Sequence, residues 1–373
     1  MEMMDMLQEG EPKIRIGLIG VGNWARYGHI PALKLLPEYS ITAVASRRLD
    51  TAVSIAEEFD IKHAVSDPSE LIHHPEVDLV AVLPPAPQHS SLVRLAIAAG
   101  KDVYSEWPLT TTLEDAEDLL RAATTAGVRH IVGLQRRLGP SARYARDLLA
   151  SGYVGDMRSV RLHVSMEYFG AQRSTALAWT IGPDNFSHVL AIYGGHFLDL
   201  LTQIVGFPKT VSAIVATQFP ILTLTATGET FPNKTPDEVV ALGTLENGAI
   251  FSVQIEGGKL HGSGLQIDIT GTKGDLRISN PKSFTNSLDN LVEGANGDPG
   301  PLVTLSVPER YQLLPPNDLD VSVQDLANVY AAHARDRIEG THVAPDFGDA
   351  VRMHRLIDRI QEASRVGTAI TVA

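Results

Sequence analysis

The patterned part of the chain begins with a short β-branched run at 14–19. A glycine turn at Gly20 to Gly22 follows, then apolar positions at helical spacing over 24–36 that end at Pro37. Strand, glycine turn and helix in that order open a βαβ unit. Further short apolar runs at 41–45, 78–83, 102–105 and 129–134 are separated by helix-length segments. Such alternation predicts an α/β fold, a Rossmann doubly wound parallel sheet over residues 13–139.

After Gly139 and Pro140 the period changes. A helix over 141–150 precedes longer alternating runs at 156–166, 209–218, 238–245, 249–256, 265–270 and 275–279. Their period and turn residues predict a C-terminal α+β domain, residues 140–373, built on a large, mostly antiparallel open sheet, with Asn247-Gly248 as its clearest hairpin turn. Residues 286–301 are rich in Gly, Asn and Asp without periodicity and read as a surface loop. Helices over 321–339 and 347–364 close the chain. The longest apolar stretch, 189–207, carries His196 and Asp199, which a lipid-facing helix would hold only at high cost. It reads as a buried helix lining a site.

Composition narrows the function. With 373 residues, 44% hydrophobic and 20% charged, and a mean hydropathy of +0.01, the chain is long enough for two well-cored domains. Its net charge of −13 speaks against nucleic acid or an anionic membrane as partner. The absence of cysteine removes disulfides, thiolate catalysis and iron–sulfur ligation, and suits a reducing, cytoplasmic setting. Residues 1–12 are acidic, without the order of a signal peptide, and read as a disordered lead-in. His73-His74 is adjacent in sequence rather than spaced along one helical face, so no metal site is expected.

The chemistry starts at the glycine loop. Gly20-x-Gly22-x-x-Ala25, with Asn23 and Trp24 between, lies between a strand and a helix, the context in which this pattern binds a dinucleotide. The first glycine allows the turn, the second lets backbone approach the pyrophosphate, and Ala25 permits close helix packing. After the second strand, where a carboxylate would hold the ribose of NAD, stand Ser46, Arg47 and Arg48. Arginines there pair with a 2′-phosphate, so NADP is preferred and NAD remains possible. Asp50 is expected to cap the next helix.

These residues carry a resemblance. The glycine loop followed by His29-Ile30-Pro31-Ala32, the segment from Pro84 to His89, Ala99-Gly100-Lys101-Asp102-Val103-Tyr104-Ser105-Glu106 and Gly195-His196-Phe197-Leu198-Asp199 together resemble the glucose-fructose oxidoreductase / inositol dehydrogenase / rhizopine-catabolism family. Members oxidise or reduce a carbinol or carbonyl of a sugar-like small molecule with NAD or NADP. They commonly form homodimers or homotetramers through the C-terminal sheet. The resemblance implies that Pro84, His89, Glu106, Pro108 and Gln135 border the cofactor, that His196 exchanges protons, and that Arg137 lies near the interdomain cleft. Arg137 there binds an anion or a hydroxyl-rich substrate, or forms a salt bridge.

Within the family, Glu106-Trp107, Leu134-Gln135-x-Arg137, Gly152-Tyr153-Val154-Gly155-Asp156 and His354-Arg355-Leu356-Ile357 resemble the fungal galactose-pathway corepressor and its bacterial relatives. The departure from the enzymes is specific. Family enzymes have lysine where Trp107 stands and aspartate four residues before the histidine, where this chain has Ile192. Trp107 exchanges no proton near neutrality and reads as a stacking wall or core residue. Tyr193, His188 and Tyr168 are supplementary pocket candidates. Two functions follow: an oxidoreductase acting on a small sugar-like hydroxy or keto compound, or a non-catalytic dinucleotide-binding regulator.

Overall fold

The computed structural model describes residues 12–283, 289–297 and 300–372. Nearly all of the expected lead-in, and parts of the 286–301 segment, lie outside them. Six parallel strands, β1 (Ile14–Ile19), β2 (Tyr39–Ala45), β3 (His63–Val65), β4 (Leu79–Val82), β5 (Asp102–Ser105) and β6 (His130–Val132), form the first sheet in the order β3-β2-β1-β4-β5-β6. The order reverses beside β1, so the carboxyl ends of β1 and β4 flank a crevice where ligands bind in this architecture. Central β4 is buried on both faces, as a strand covered by helices must be.

Connecting helices are α1 (Ile30–Leu35), α2 (Leu49–Phe59), α3 (Pro68–Ile72), α4 (His89–Ala98) and α5 (Leu113–Ala126). The helix predicted over 24–36 is formed, but its first turns, Ala25–His29, are wound as a π-helix. β3 escaped the sequence reading because three residues carry no period.

After α6 (Pro140–Ala150) come β7 (Met157–Ser165), β8 (Gln172–Arg173), α7 (Gly195–Val205), β9 (Pro208–Ala216), β10 (Ile221–Leu224), β11 (Thr230–Pro232), β12 (Glu238–Leu245), β13 (Ile250–Glu256), β14 (Leu265–Gly271), β15 (Gly274–Asn280), β16 (Leu291–Asn296) and β17 (Val303–Thr304). Helices α8 (Val321–Glu339) and α9 (Phe347–Val366) and the edge strand β18 (Ile370–Thr371) end the chain. The large sheet runs β17-β16-β15-β14-β7-β13-β12-β9-β18 and is antiparallel except for the β7–β13 pair. β16 corrects the loop expected over 286–301: Val292 is buried and pairs with Ile278 across the sheet, so tertiary contact orders residues of low strand propensity.

One face of this sheet packs on α6, α7 and α9; Val239, Val253, Ile255 and Ile267 meet Phe197, Leu201, Met353 and Ile357 there. α8 departs from the expected division. Its Leu326, Val329 and Tyr330 pack with Ile16 and Leu18 of β1 and Ile30 and Leu33 of α1, so this helix of the 140–373 segment completes the N-terminal core. No helix among the described residues is long and apolar enough to cross a membrane.

Candidate functional site

The glycine loop is built by backbone geometry. Gly20 adopts φ +90°, and a Cβ there would meet the ring and nitrogen of Pro84 at 3.0–3.1 Å. Its N–H donates to Ala45 O at 2.9 Å, holding the turn against β2. A Cβ on Gly22 would meet nothing within 4 Å, so open space faces this backbone. Arg26 N–H donates to Gly22 O at 3.1 Å, so a helix N-terminus begins there and turns its first N–H groups toward that space. Asn23 is exposed, Trp24 half-buried and Ala25 buried. The open backbone fits a nicotinamide dinucleotide, whose pyrophosphate Gly20, Gly22 and the following N–H groups would hold.

At the ribose end, Ser46 is half-buried and Arg47 exposed. Arg48 forms a two-point ion pair with Asp50, at 3.2 and 2.7 Å. That corrects the cap assigned to Asp50: the cap position is Arg48, and Asp50 sits in the first turn of α2. Hydrogen bonds from Arg48 and from Thr51 N–H lower the Asp50 carboxyl to about 2. A carboxylate absent from the ribose position thus stands two residues on, against the arginine meant for a 2′-phosphate.

Glu106 is the best-anchored polar group of the site. Its Oε1 accepts from Trp24 Nε1 at 3.2 Å and Tyr104 hydroxyl at 2.8 Å, and lies 2.7 Å from His29 Nε2. Burial opposes ionisation, but His29 and Tyr104 outweigh it and hold the carboxyl below its ordinary value. His29 is fully buried, and its Nδ1 lies 2.8 Å from the Tyr330 hydroxyl on α8. His29 and Tyr104 received no role from the sequence. His29 lies within a quoted motif, which was the available signal.

Trp107 turns the other way, as alternate residues leaving a strand do. The side chain is 5% exposed, donates from Nε1 to Ala191 O at 2.8 Å and packs on His354 at 4.8 Å between centroids. The stacking wall is therefore replaced by a core contact under α7. Pro108 follows through a cis peptide bond. His89 is likewise buried: its Nδ1 lies 2.8 Å from Pro108 O and its Nε2 2.6 Å from Pro84 O, so the imidazole joins two loops bordering the crevice and does not face it. Burial lowers its pKa while the two carbonyls pull the other way.

His196, on α7, is 6% exposed. Burial, then the charge of Arg136, brings its pKa down to about 3, with Glu106 opposing, so the imidazole is neutral. Tyr193, one turn earlier, stacks on Tyr168 at 5.9 Å and meets Phe169 edge-on at 5.3 Å. Burial raises its phenol pKa, keeping it protonated. Tyr168 and Tyr27 are exposed. His188 sits apart from this group. Its Nδ1 accepts from Ala191 N–H at 3.2 Å, burial lowers it to about 4, and it lines another hollow of about 400 Å³ with Thr112, Phe186, Lys234 and Asp358.

The short turn Gln135–Leu138 carries two arginines with different fates. Arg137 is buried between Asp199, with Nε donating at 2.9 Å, and Asp349, also at 2.9 Å. Of the two readings open for Arg137, the structure forms the salt bridge, buried rather than exposed. Arg136, overlooked in the sequence, lies over the Phe197 ring at 5.1 Å, and its charge reaches His196 and Tyr193. Gln135 is buried, its Oε1 without a hydrogen-bond partner among the described residues.

Residues 14–134 match the oxidoreductase family with an NAD-binding Rossmann fold, GFO_IDH_MocA, and residues 140–280 match the C-terminal domain of Gal80p. The chain belongs to the Gfo/Idh/MocA family, on its Gal80-like branch. It is 26% identical over 418 residues to the galactose/lactose metabolism regulatory protein GAL80 of Saccharomyces cerevisiae, covering 96% of this chain and 94% of that protein. It is 31% identical over 217 residues to the dehydrogenase aclE of Aspergillus oryzae, covering 56% of this chain and 59% of that one. A levoglucosan dehydrogenase solved with NADH and levoglucosan superposes with a TM-score of 0.85 at 21% identity, over 97% of this chain and 100% of the other. The Gfo/Idh/MocA frame accounts for the dinucleotide cradle.

Proposed function

We propose that the protein is a nicotinamide-dinucleotide-dependent oxidoreductase of a small, sugar-like hydroxy or keto compound, with NADP preferred and His196 exchanging the proton. One observation carries this reading: the Glu106 carboxylate, whose charge bears on His196, is hydrogen-bonded to Trp24 and His29 of the helix that opens at Gly22. The proton-exchanging candidate and the dinucleotide cradle thus share an anchor. A bound nicotinamide supplies hydride exchange. The chain's own part is to keep His196 neutral and out of bulk water, in the base form that accepts an alcohol proton. Tyr193 and Tyr168 wall the cleft as polar aromatic surfaces that suit a hydroxylated ring. Exposed Arg47 supports NADP over NAD.

NADPH and NADH titrations by fluorescence, followed by a hydride-transfer screen over sugars, inositols and small ketones, test the proposal. The expected result is turnover that disappears in His196→Ala. Tight dinucleotide binding without turnover across the panel would replace it with the second reading, a non-catalytic dinucleotide-binding regulator. Trp107 favours that alternative, because its single N–H is already given to Ala191 O. The 26% likeness to GAL80 along nearly the whole chain supports it too.

Self-association through the large sheet belongs to the same proposal. Ile214, Leu242 and Ile250 are exposed on one face of adjacent β9, β12 and β13, the face opposite the core. Domains of 13–139 and 140–373 and a cytoplasmic setting complete it.

A further inference from the structure

We infer that His63, His74 and Glu76 form a binding site for a divalent transition metal, zinc by the chemistry of the donors, on the edge of the first sheet away from the dinucleotide crevice. The inference is independent of the oxidoreductase reading. One donor atom from each residue lies within 4.8 Å of the other two, and all three residues are half-buried. Two imidazoles and a carboxylate are a donor set that zinc takes up, with water completing four ligands.

Folding, and not spacing, assembles the set. His73-His74 offers no pair along one helical face, and the structure parts the two rings. His73 Nδ1 turns to Ser69 O at 2.9 Å, while the His74 ring lies 4.1 Å from that of His63, centroid to centroid. His63 opens β3, whereas His74 and Glu76 stand in the loop between α3 and β4. Both segments thus meet at the amino ends of their strands, and the crevice lies at the carboxyl ends.

The loop that carries two of the donors is fixed by its backbone. The Thr42 hydroxyl of β2 donates to Glu76 O at 2.8 Å, and Lys101 Nζ donates to His74 O at 3.2 Å and to Val77 O at 2.6 Å. Val77 N–H closes the turn onto His74 O at 3.1 Å, and Pro75 between the two donors restricts the chain further. Donors held this way lose little freedom on taking an ion.

The side-chain contacts are those a metal would replace. His63 Nε2 lies 2.6 Å from Glu76 Oε2, and His74 Nδ1 accepts from Glu76 N–H at 3.1 Å. Lys62 Nζ donates to both Glu76 oxygens, at 2.8 and 2.7 Å. Lys62 is 65% exposed on a flexible stem, so it is the cation that leaves when a doubly charged ion arrives. Ligand-to-ligand edges of a tetrahedral zinc site are about 3.4 Å, so the donors close by about 1.4 Å at most and the His63–Glu76 pair opens by about 0.8 Å. The bound ion would tie the three-residue edge strand β3 to the segment entering β4. β3 also holds the loop after β2, since Val65 O accepts from Ser46 N–H at 3.2 Å.

Zn²⁺ titration by calorimetry of protein stripped with a chelator tests the inference, on the wild type, His63→Ala, His74→Ala, Lys62→Met and, beside the site, His73→Ala. One zinc ion per chain is expected. His63→Ala and His74→Ala are each expected to weaken it by about tenfold or more, and Lys62→Met to tighten it by removing the rival cation. His73→Ala is expected to leave it unchanged. Co²⁺ is expected to show the strong visible absorption of a four-coordinate ion in the wild type and His73→Ala, and to lose it in His63→Ala and His74→Ala. Unfolding midpoints in chelator confirm that each variant is folded. Zinc binding that survives either histidine change, or that His73→Ala weakens equally, overturns the inference, as does the absence of saturable binding. Unchanged affinity in Lys62→Met removes Glu76 from the ligand set and overturns it as well.

Discussion

His29 Nε2 lies 2.7 Å from Glu106 Oε1, with His29 fully buried, and this contact ties the helix after the glycine loop to the turn that leads into Trp107. Glu106→Gln removes the negative charge from an oxygen that also accepts from Trp24 and Tyr104. The expected outcome is a loss of about 1–3 kcal/mol in urea unfolding, together with weaker NADPH binding because Trp24 belongs to the loop. Unchanged dinucleotide affinity would show that the anchor supports the fold alone.

Gly195 faces the Trp107 indole so closely that a Cβ would stand 2.2 Å from Nε1. Alanine normally stabilises a helix relative to glycine, by about 1 kcal/mol. Here Gly195→Ala is expected to destabilise by about 1–3 kcal/mol, because the helix must shift off the ring. Thermal denaturation of Gly195→Ala, alone and with Trp107→Phe, checks this. The second change should return part of the loss.

His354 is buried between Trp107 and Phe186, neither nitrogen finding a hydrogen-bond partner among the described residues. Burial lowers it from 6.5 to about 3. The unfolded chain binds the proton first on acidification, so this contribution is complete above about pH 6.5 and is lost as pH falls toward 3. His354→Leu should match the wild type near pH 7.5 and lose about 2 kcal/mol less between pH 7 and pH 5. Parallel urea midpoints at the two pH values decide it.

Asp325 shows the opposite sign. Its folded value of about 7 lies above the ordinary 3.8, so the native state binds the extra proton. Its contribution is complete below about pH 4 and is lost as pH rises through 7. Relative to the wild type, Asp325→Asn is expected to gain about 2.6 kcal/mol between pH 5 and pH 8. A stability difference that stays constant with pH would exclude the titration of Asp325 in this range.

Much of the first sheet could be read from the chain because each strand there is a short apolar run between helices, and β1 and β5 match their predicted limits residue for residue. The glycine loop was equally plain, since Gly20 and Gly22 answer to local backbone geometry. β16 was not. Its order comes from pairing with β15, a contact across the sheet that no local pattern records. α8 was found as a helix, yet its place on the first sheet depends on where Leu326, Val329 and Tyr330 meet β1 and α1.

The site divides along the same line. Hydrophobic period and glycine spacing, which act over a few residues, determined the Rossmann half and the dinucleotide cradle. Only the tertiary structure decided that Trp107 lies beneath α7, that His89 joins two loops, and that Arg136 lies over the Phe197 ring while Arg137 is spent on Asp199 and Asp349. The fate of Arg137 depends on a buried charge finding a countercharge more than sixty residues away, and adjacent arginines look alike until the chain has folded.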